Sequence, residues 1–408
     1  MTISLRARYV FPVEGPPIED GVVTIAGGRI LSVGRSTARP DRDLGSVALL
    51  PGLINAHTHL EFSRLDSPLG RPHSGMAQWI QSVIAYRRSG QHDAAAGVAA
   101  GLCESHREGV VALGEIAQPD TTATIPADVP LHVLSFVELI APTASRTAAA
   151  QQAALAHLDA PFSCPRVRLG LSPHAPYTVH PELLDWAVET ARRRGVPLAI
   201  HLAESADEMQ WLQTGTGPLA ELLLGIDGFR PEAFAVGRRP LAYLQRLAAA
   251  PRTLVIHGNY LGDEEIAFLA AQRERFSVVY CPRTHAYFGH APYPLARLLA
   301  AGVNVALGTD SRASSPDLSL LTEMREAAAR HSNVPPEAIV RMATLGGAVA
   351  LDVADSHGSL APGKRADMIA VALPERGDDS PYALLLAGEG RVVARSAEES
   401  GGLLRPGR

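Results

Sequence analysis

Leu53-Ile54-Asn55-Ala56-His57-Thr58-His59 runs from a short apolar segment directly into two histidines. Side chains alternate along an extended strand, so His57 and His59 share a face and can chelate a metal together. Taken alone, a His-x-His in a chain with 15 histidines fits packing or a surface role equally well. Its weight depends on whether other apolar runs end in the same chemistry.

Working outward, similar runs occur at Val110–Leu113, Leu131–Val137, Val167–Leu171, Pro197–Ile200, Leu254–Ile256, Ser277–Tyr280 and Val303–Leu307. With Leu53-Ile54 they make about eight β segments, separated by helix-length stretches such as Glu182–Arg194 and Ala296–Ala301. Strands buried on both faces need this continuous apolar character. The expected fold class is therefore α/β, a (β/α)8 TIM barrel over residues 51–350 that carries the catalytic machinery. Two segments exceed what a minimal barrel needs, Ser63–Gln78 and Ser205–Ala250. Long barrel loops shape substrate pockets, the second as a lid or a buttress.

The two ends of the chain read differently. Gly21–Ile25 and Arg29–Val33 alternate in β fashion around Gly27-Gly28, which is hairpin grammar. The style returns after residue 358 in Pro362-Gly363, Ala366–Val371 and Gly390–Val393. Residues 1–50 and 351–408 are expected to form one composite β-sandwich beside the barrel.

Composition narrows the function classes. The chain has 408 residues, 46% hydrophobic and 19% charged, with a net charge of -5 and no basic tail, so nucleic acid is not an expected partner. Cys103, Cys164 and Cys281 form no CxxC pair, which points away from a disulfide framework or thiolate zinc and toward a reducing cytoplasm. Met1–Val10 lacks the apolar core of a secretion signal, and no run of apolar residues is long enough to span a bilayer, so no membrane association is expected. Lys364 is the single lysine, so a mechanism that needs an interior lysine is disfavoured.

The other runs do end in matching chemistry: Ile200-His201-Leu202-Ala203-Glu204, Ile256-His257-Gly258-Asn259 and Gly308-Thr309-Asp310. Catalytic residues of barrels sit at this edge. Three histidines and one aspartate suit zinc or iron(II) and leave room for water. His174, in Ser172-Pro173-His174-Ala175-Pro176-Tyr177, either faces the pocket or packs beneath the turn. Glu204 either reaches metal-activated water without being a ligand or serves as a helix N-terminal acid.

These motifs, PGLINAHTHLE, SPHAPYT, HLAE, VIHG, LGTDS and the tail GSLAPGKRADMIAV, resemble the amidohydrolase superfamily over nearly the whole chain. HLAE with SPHAPYT is similar to the branch of adenosine-type deaminases and triazine chlorohydrolases. The resemblance implies one divalent metal, zinc or Fe(II), held by His57, His59, His201 and Asp310. It further implies Glu204 as proton shuttle, His257 as the group orienting the attacking hydroxide, Asp310 as ligand and base, and His174 against substrate. Because the fourth run ends in His174 rather than lysine, a mononuclear centre is implied. Members of this branch are often dimers, so a homodimer is compatible.

The finer pattern, His59-Leu60-Glu61-Phe62-Ser63 with Trp79-Ile80, Arg87-Arg88 and Cys281-Pro282-Arg283-Thr284-His285, looks closest to the aminodeoxyfutalosine deaminases of the alternative menaquinone route. Such a substrate joins adenine, ribose and benzoate, and so requires a cation for its carboxylate. Arg87, Arg88, Arg283 and Arg312 are the candidates, with a solvated helix face as the other account of Arg87 and Arg88. Glu61 and Gln78 are candidates for the ribose. His285 and His290 either touch the ring or benzoate or serve loop packing.

Competing expectations keep the fold and change the rest. The same site suits S-adenosylhomocysteine, methylthioadenosine, guanine or cytosine deamination, or ring chlorohydrolysis. A non-catalytic relative working by assembly is disfavoured by the intact set of polar strand-end residues.

Overall fold

The structure is a computed structural model that describes residues 2–161, 164–234, 237–374, 380–396 and 404–406. Eight parallel strands form the central sheet: β1 (Leu53–Thr58), β2 (Val110–Ala117), β3 (His132–Leu139), β4 (Val167–Pro173), β5 (Leu198–Leu202), β6 (Thr253–His257), β7 (Phe276–Tyr280) and β8 (Asn304–Leu307). They pair in sequence order, and the circle is closed by a bridge between Thr58 and Asp310 just beyond the paired strands. Closure is backed by main-chain hydrogen bonds from His59 N to the Asp310 carbonyl and from Asp310 N to the His57 carbonyl, both 3.1 Å. This is the (β/α)8 barrel expected from the apolar runs, each of which lies in or overlaps one of the eight strands.

Helices cover the outside for the reasons their sequences supply. Pro181–Arg194 starts on a proline and ends at Gly195, whose φ of +67° provides the left-handed cap. Its buried Leu183, Leu184, Ala187, Val188 and Ala191 recur at three- and four-residue spacing, so one stripe meets the barrel while Arg192, Arg193 and Arg194 favour the negative end of the helix dipole.

The chain ends meet in a second, mixed sheet. Thr2–Val10, Ile18–Ala26, Arg29–Gly34 and Val47–Pro51 are joined to the C-terminal strands by antiparallel pairing of Val47–Pro51 with Met368–Ala372. The hairpin read from Gly27-Gly28 is present, with φ of +56° and +71°. Leu5, Val23, Ile25, Ile30, Leu49, Met368 and Ala370 form a separate apolar core for this layer. Of the C-terminal β segment expected to reach residue 408, positions 375–379, 397–403 and 407–408 lie outside the described residues.

The long segment after β5 folds into helices Ala206–Thr214, Pro218–Leu224 and Pro240–Leu247. No helix among the described residues is long and apolar enough to cross a membrane.

Candidate active site

The strand ends bring His57, His59, His201 and Asp310 together. His59 Nε2 and His201 Nε2 lie 3.3 Å apart. Asp310 Oδ1 is 3.5 Å from His57 Nε2 and 3.7 Å from His59 Nε2. Both ring nitrogens of His57 and Nδ1 of His59 are buried without a hydrogen-bond partner among the described residues. Buried polar atoms normally have partners, so His57 Nε2, which faces Asp310 and has none, fits a ligand that takes its lone pair. Burial, followed by the charge of His57, pushes His59 well below the usual imidazole range. Burial, with His174 and His57, brings His201 down to about 3. Both rings are therefore neutral, the form that binds a metal. His201 Nδ1 lies 3.0 Å from the His174 carbonyl, a contact that fixes the ring with Nε2 turned toward the cluster. The donor set, three imidazoles and a carboxylate, fits one divalent cation.

A second pair sits beside this cluster. His257 Nε2 is 3.2 Å from Glu204 Oε1. Burial raises the Glu204 carboxyl well above its usual range, and the nearby Asp310 and Glu208 add to it, whereas burial keeps His257 neutral. Asp310 goes the other way: burial opposes its ionisation, but His57, His257 and His59 hold it below the usual carboxylate range. Two carboxyl groups in one pocket, one favouring the protonated form and one the ionised form, divide acid and base roles.

The backbone carrying these groups is itself constrained. Ala203, His257 and Asp310 have φ of +54°, +67° and +55°, a region that side chains other than glycine rarely enter. Glu208 meets part of this strain by accepting the N–H groups of Ala203 at 2.9 Å and Glu204 at 2.8 Å. Asn259 Nδ2 donates to the Glu204 carbonyl at 2.7 Å, so Glu204 is clamped on both sides of its Cα. Tyr293 Oη donates to the His257 carbonyl at 2.9 Å.

The cluster opens into a cavity of about 460 Å³. His59, His174, His201, Glu204, His257 and Asp310 form its inner end, and Phe62, Trp79, Ile80, Val83, Leu222 and Ile226 its apolar wall. The long segment after β5 therefore supplies a wall of the pocket, where helix Pro218–Leu224 packs on helix Met76–Arg88.

The residues proposed for substrate separate into two groups. His174, Arg87 and Arg88 line the cavity. Glu61 lies behind Arg87, paired with it at 2.6 Å. Arg283 is turned into the helix layer, 2.6 Å from Glu323 and 2.8 Å from Asp317. Arg312 bonds the carbonyls of Ser63 and Leu65 and so holds the loop after β1. His285 meets the Ala291 carbonyl and His290 the Tyr260 hydroxyl, outside the cavity lining, and Gln78 is exposed. Reading the sequence missed Glu138, Arg146 and Asp227, which do line the cavity. Glu138 carried a legible signal, since it follows directly on the third apolar run at the edge where the other strand ends place their chemistry.

Residues 48–392 match the amidohydrolase family. The chain belongs to the amidohydrolase family. The 5-methylthioadenosine/S-adenosylhomocysteine deaminase of Moorella thermoacetica is 30% identical over 401 residues, covering 90% of this chain and 85% of its own. The aminodeoxyfutalosine deaminase of Deinococcus radiodurans is 30% identical over 359 residues, covering 84% of each. A crystal structure of an adenosine deaminase from Xanthomonas campestris with bound zinc superposes with a TM-score of 0.76 at 26% identity, covering 99% of this chain and 92% of that one. This amidohydrolase is accordingly a hydrolase of carbon–nitrogen bonds, of the deaminase type.

Proposed function

We propose that this amidohydrolase removes the amino group of an adenine-containing nucleoside, with aminodeoxyfutalosine as the substrate and menaquinone formation in the cytoplasm as its setting. The observation that carries the reading is the Glu204–His257 pair, 3.2 Å apart, facing the same cavity end as the His57, His59, His201 and Asp310 cluster. Those four residues would hold the metal, with zinc or Fe(II) both suited to the donors. When bound, such an ion supplies Lewis acidity that makes water nucleophilic near neutral pH.

The protein's own groups do the rest. His257 Nε2 and Asp310 hold the attacking water at the carbon bearing the amine, with Asp310 as the proton acceptor. Glu204, protonated through its burial, gives its proton to the adjacent ring nitrogen, which localises the tetrahedral adduct. A proton is then returned to the amine, because an amide anion is too basic to leave and ammonia is not. The apolar wall excludes bulk water while the ring is attacked.

Support for the substrate comes from the outer cavity. Arg88 and Arg146 line it, are exposed, and have no ion-pair partner among the described residues, leaving two cations free for a carboxylate beyond an apolar arm. A second reading, S-adenosylhomocysteine, is favoured by Asp227 on the same lining, which suits an ammonium beside that carboxylate. The experiment is ammonia release from zinc-loaded protein offered aminodeoxyfutalosine, S-adenosylhomocysteine, methylthioadenosine, adenosine, guanine and cytosine in parallel. Preference for aminodeoxyfutalosine is expected. Preference for S-adenosylhomocysteine selects the second reading, and activity on the free bases alone removes both.

A further inference from the structure

Between the histidine cluster and the arginine rim, the cavity wall holds a charged group that neither accounts for. Glu138 lies at the end of β3, its side chain only 2% exposed yet part of the lining. One of its oxygens is already committed: Gln118 Nε2 donates to Oε2 at 2.8 Å, and Arg87 Nη2 lies 3.6 Å from the same atom. Arg87 is held from behind by Glu61 at 2.6 Å, and Glu61 by His92 at 2.9 Å. The Arg87 guanidinium also rests 5.3 Å from the centroid of the Phe62 ring. These contacts fix Arg87 as a brace for Glu138, and so make it a poor clamp for a substrate anion.

The other oxygen faces a different situation. His174 Nε2 is 3.9 Å from Oε1, beyond hydrogen-bond reach, and the far side of that ring is engaged by Thr178 Oγ1 at 2.6 Å. With no protein donor in reach among the described residues, Oε1 is left to accept from whatever occupies the cavity that Glu138 lines. An ionised carboxylate only accepts, so the completing group must be a donor, either a hydroxyl or an N–H. In the proposed nucleoside the reacting amine is at the cluster. Glu138 has ligand atoms of His174 and His201 within 4.8 Å on one side and Arg87 3.6 Å away on the other, so it stands where the wall passes from the cluster toward Arg87. The group that follows the purine ring in that direction is the sugar.

We propose that Glu138 binds the sugar hydroxyls of the substrate through Oε1 and so makes the site select ribonucleosides over their deoxy counterparts. This assignment rests on the nucleoside reading given above. It also replaces Glu61 and Gln78 in that role, since the first is committed to Arg87 and His92 and the second is exposed outside the cavity.

The test is the zinc-loaded full chain and its Glu138→Gln variant, assayed on adenosine, 2′-deoxyadenosine, 3′-deoxyadenosine and 2′,3′-dideoxyadenosine, with metal content measured on both proteins. Hydrogen bonds to a charged partner correspond to about 10- to 100-fold. Wild type should lose that factor in kcat/KM between adenosine and the dideoxy compound, and E138Q should lose it on adenosine while changing little on the dideoxy compound. Gln118→Ala, which leaves the charge in place, should show a smaller loss with the same substrate dependence, and it serves if E138Q does not fold.

An equal loss across the series, in either variant, overturns the assignment. So do two ions per chain in wild type with fewer in E138Q, because Glu138, His174 and His201 place ligand atoms within 4.8 Å of one another and would then be holding a cation. A wild type active on free bases but on no nucleoside overturns the nucleoside reading itself, which is a different result from a nucleoside deaminase indifferent to its hydroxyls.

Discussion

The inner and outer ends of the cavity are built by different means. At the inner end, the groups that do the chemistry sit at strand ends whose backbone is separately fixed, Asp310 by its bridge to Thr58, Glu204 by Glu208 and Asn259, and His257 by Tyr293. At the outer end, the wall comes from helices Met76–Arg88 and Pro218–Leu224 and from loops, with Ile84 36% and Ile140 42% exposed and Arg88 and Arg146 open to solvent. Bond-making groups tolerate little displacement, whereas an arm of substrate can be met by adaptable side chains. Substitutions at the inner end should therefore act on turnover, and those at the outer end on substrate choice.

The largest effect should follow Glu204→Gln, which keeps the shape of the side chain and removes its proton chemistry. Turnover is expected to fall by about 10²- to 10⁴-fold with metal content unchanged, which steady-state kinetics and metal analysis can check together. Unchanged turnover would remove Glu204 from the chemistry and blur the contrast between the two ends.

Asn259→Ala is the next largest. It leaves every reacting group in place and releases one side of the clamp on Glu204, so kcat should fall by about 10-fold, the scale of one lost hydrogen bond, while KM is unchanged. A rise in KM with constant kcat would mean that Asn259 serves binding instead.

At the outer end, Arg146→Ala should raise KM for a carboxylate-bearing nucleoside by about 10-fold, as expected for a lost charge-assisted contact. Adenosine and methylthioadenosine should be unaffected. Equal effects on charged and uncharged substrates would contradict an anion-reading rim.

The smallest effect lies away from both ends, where the terminal sheet meets the barrel. Burial alone would raise Asp367, but hydrogen bonds and charge from His357 and Arg365 hold it down at about 2. Its folded pKa is below the ordinary carboxylate value, so its contribution is present above about pH 4 and lost as pH falls toward about 2. The shift corresponds to about 2 kcal/mol. Asp367→Asn should lower the urea midpoint at pH 7, with the difference shrinking to about a third at pH 2.5 and vanishing below about pH 2, and with turnover per folded molecule unchanged at neutral pH.

The inner end was the part most readable from sequence, and for a physical reason. Barrel strands place their last residues on one edge, so His57, His59, His201, His257 and Asp310 could be gathered by noting which residues end apolar runs. The outer end was not readable in this way. Arg283 and Arg312 also follow strands closely, yet one points to Glu323 and Asp317 and the other to the loop after β1. Sequence adjacency does not say whether a residue turns into the cavity or into the helix layer. Arg146 and Asp227 come from segments with no period that orients them, whereas Glu138 follows its apolar run as His201 and His257 follow theirs and is legible on the same ground. Glu208 and Asn259 act through main-chain atoms of other residues, contacts that exist only once the turn after β5 has folded.

The most direct test of the account is ammonia release from aminodeoxyfutalosine and adenosine by one preparation, measured as purified, after chelation, and after zinc is returned. Release should be lost with the metal and restored by it, and should stay at least about 100-fold lower in Glu204→Gln whenever metal is bound. Release that survives complete chelation, or that Glu204→Gln retains in full, would contradict the account.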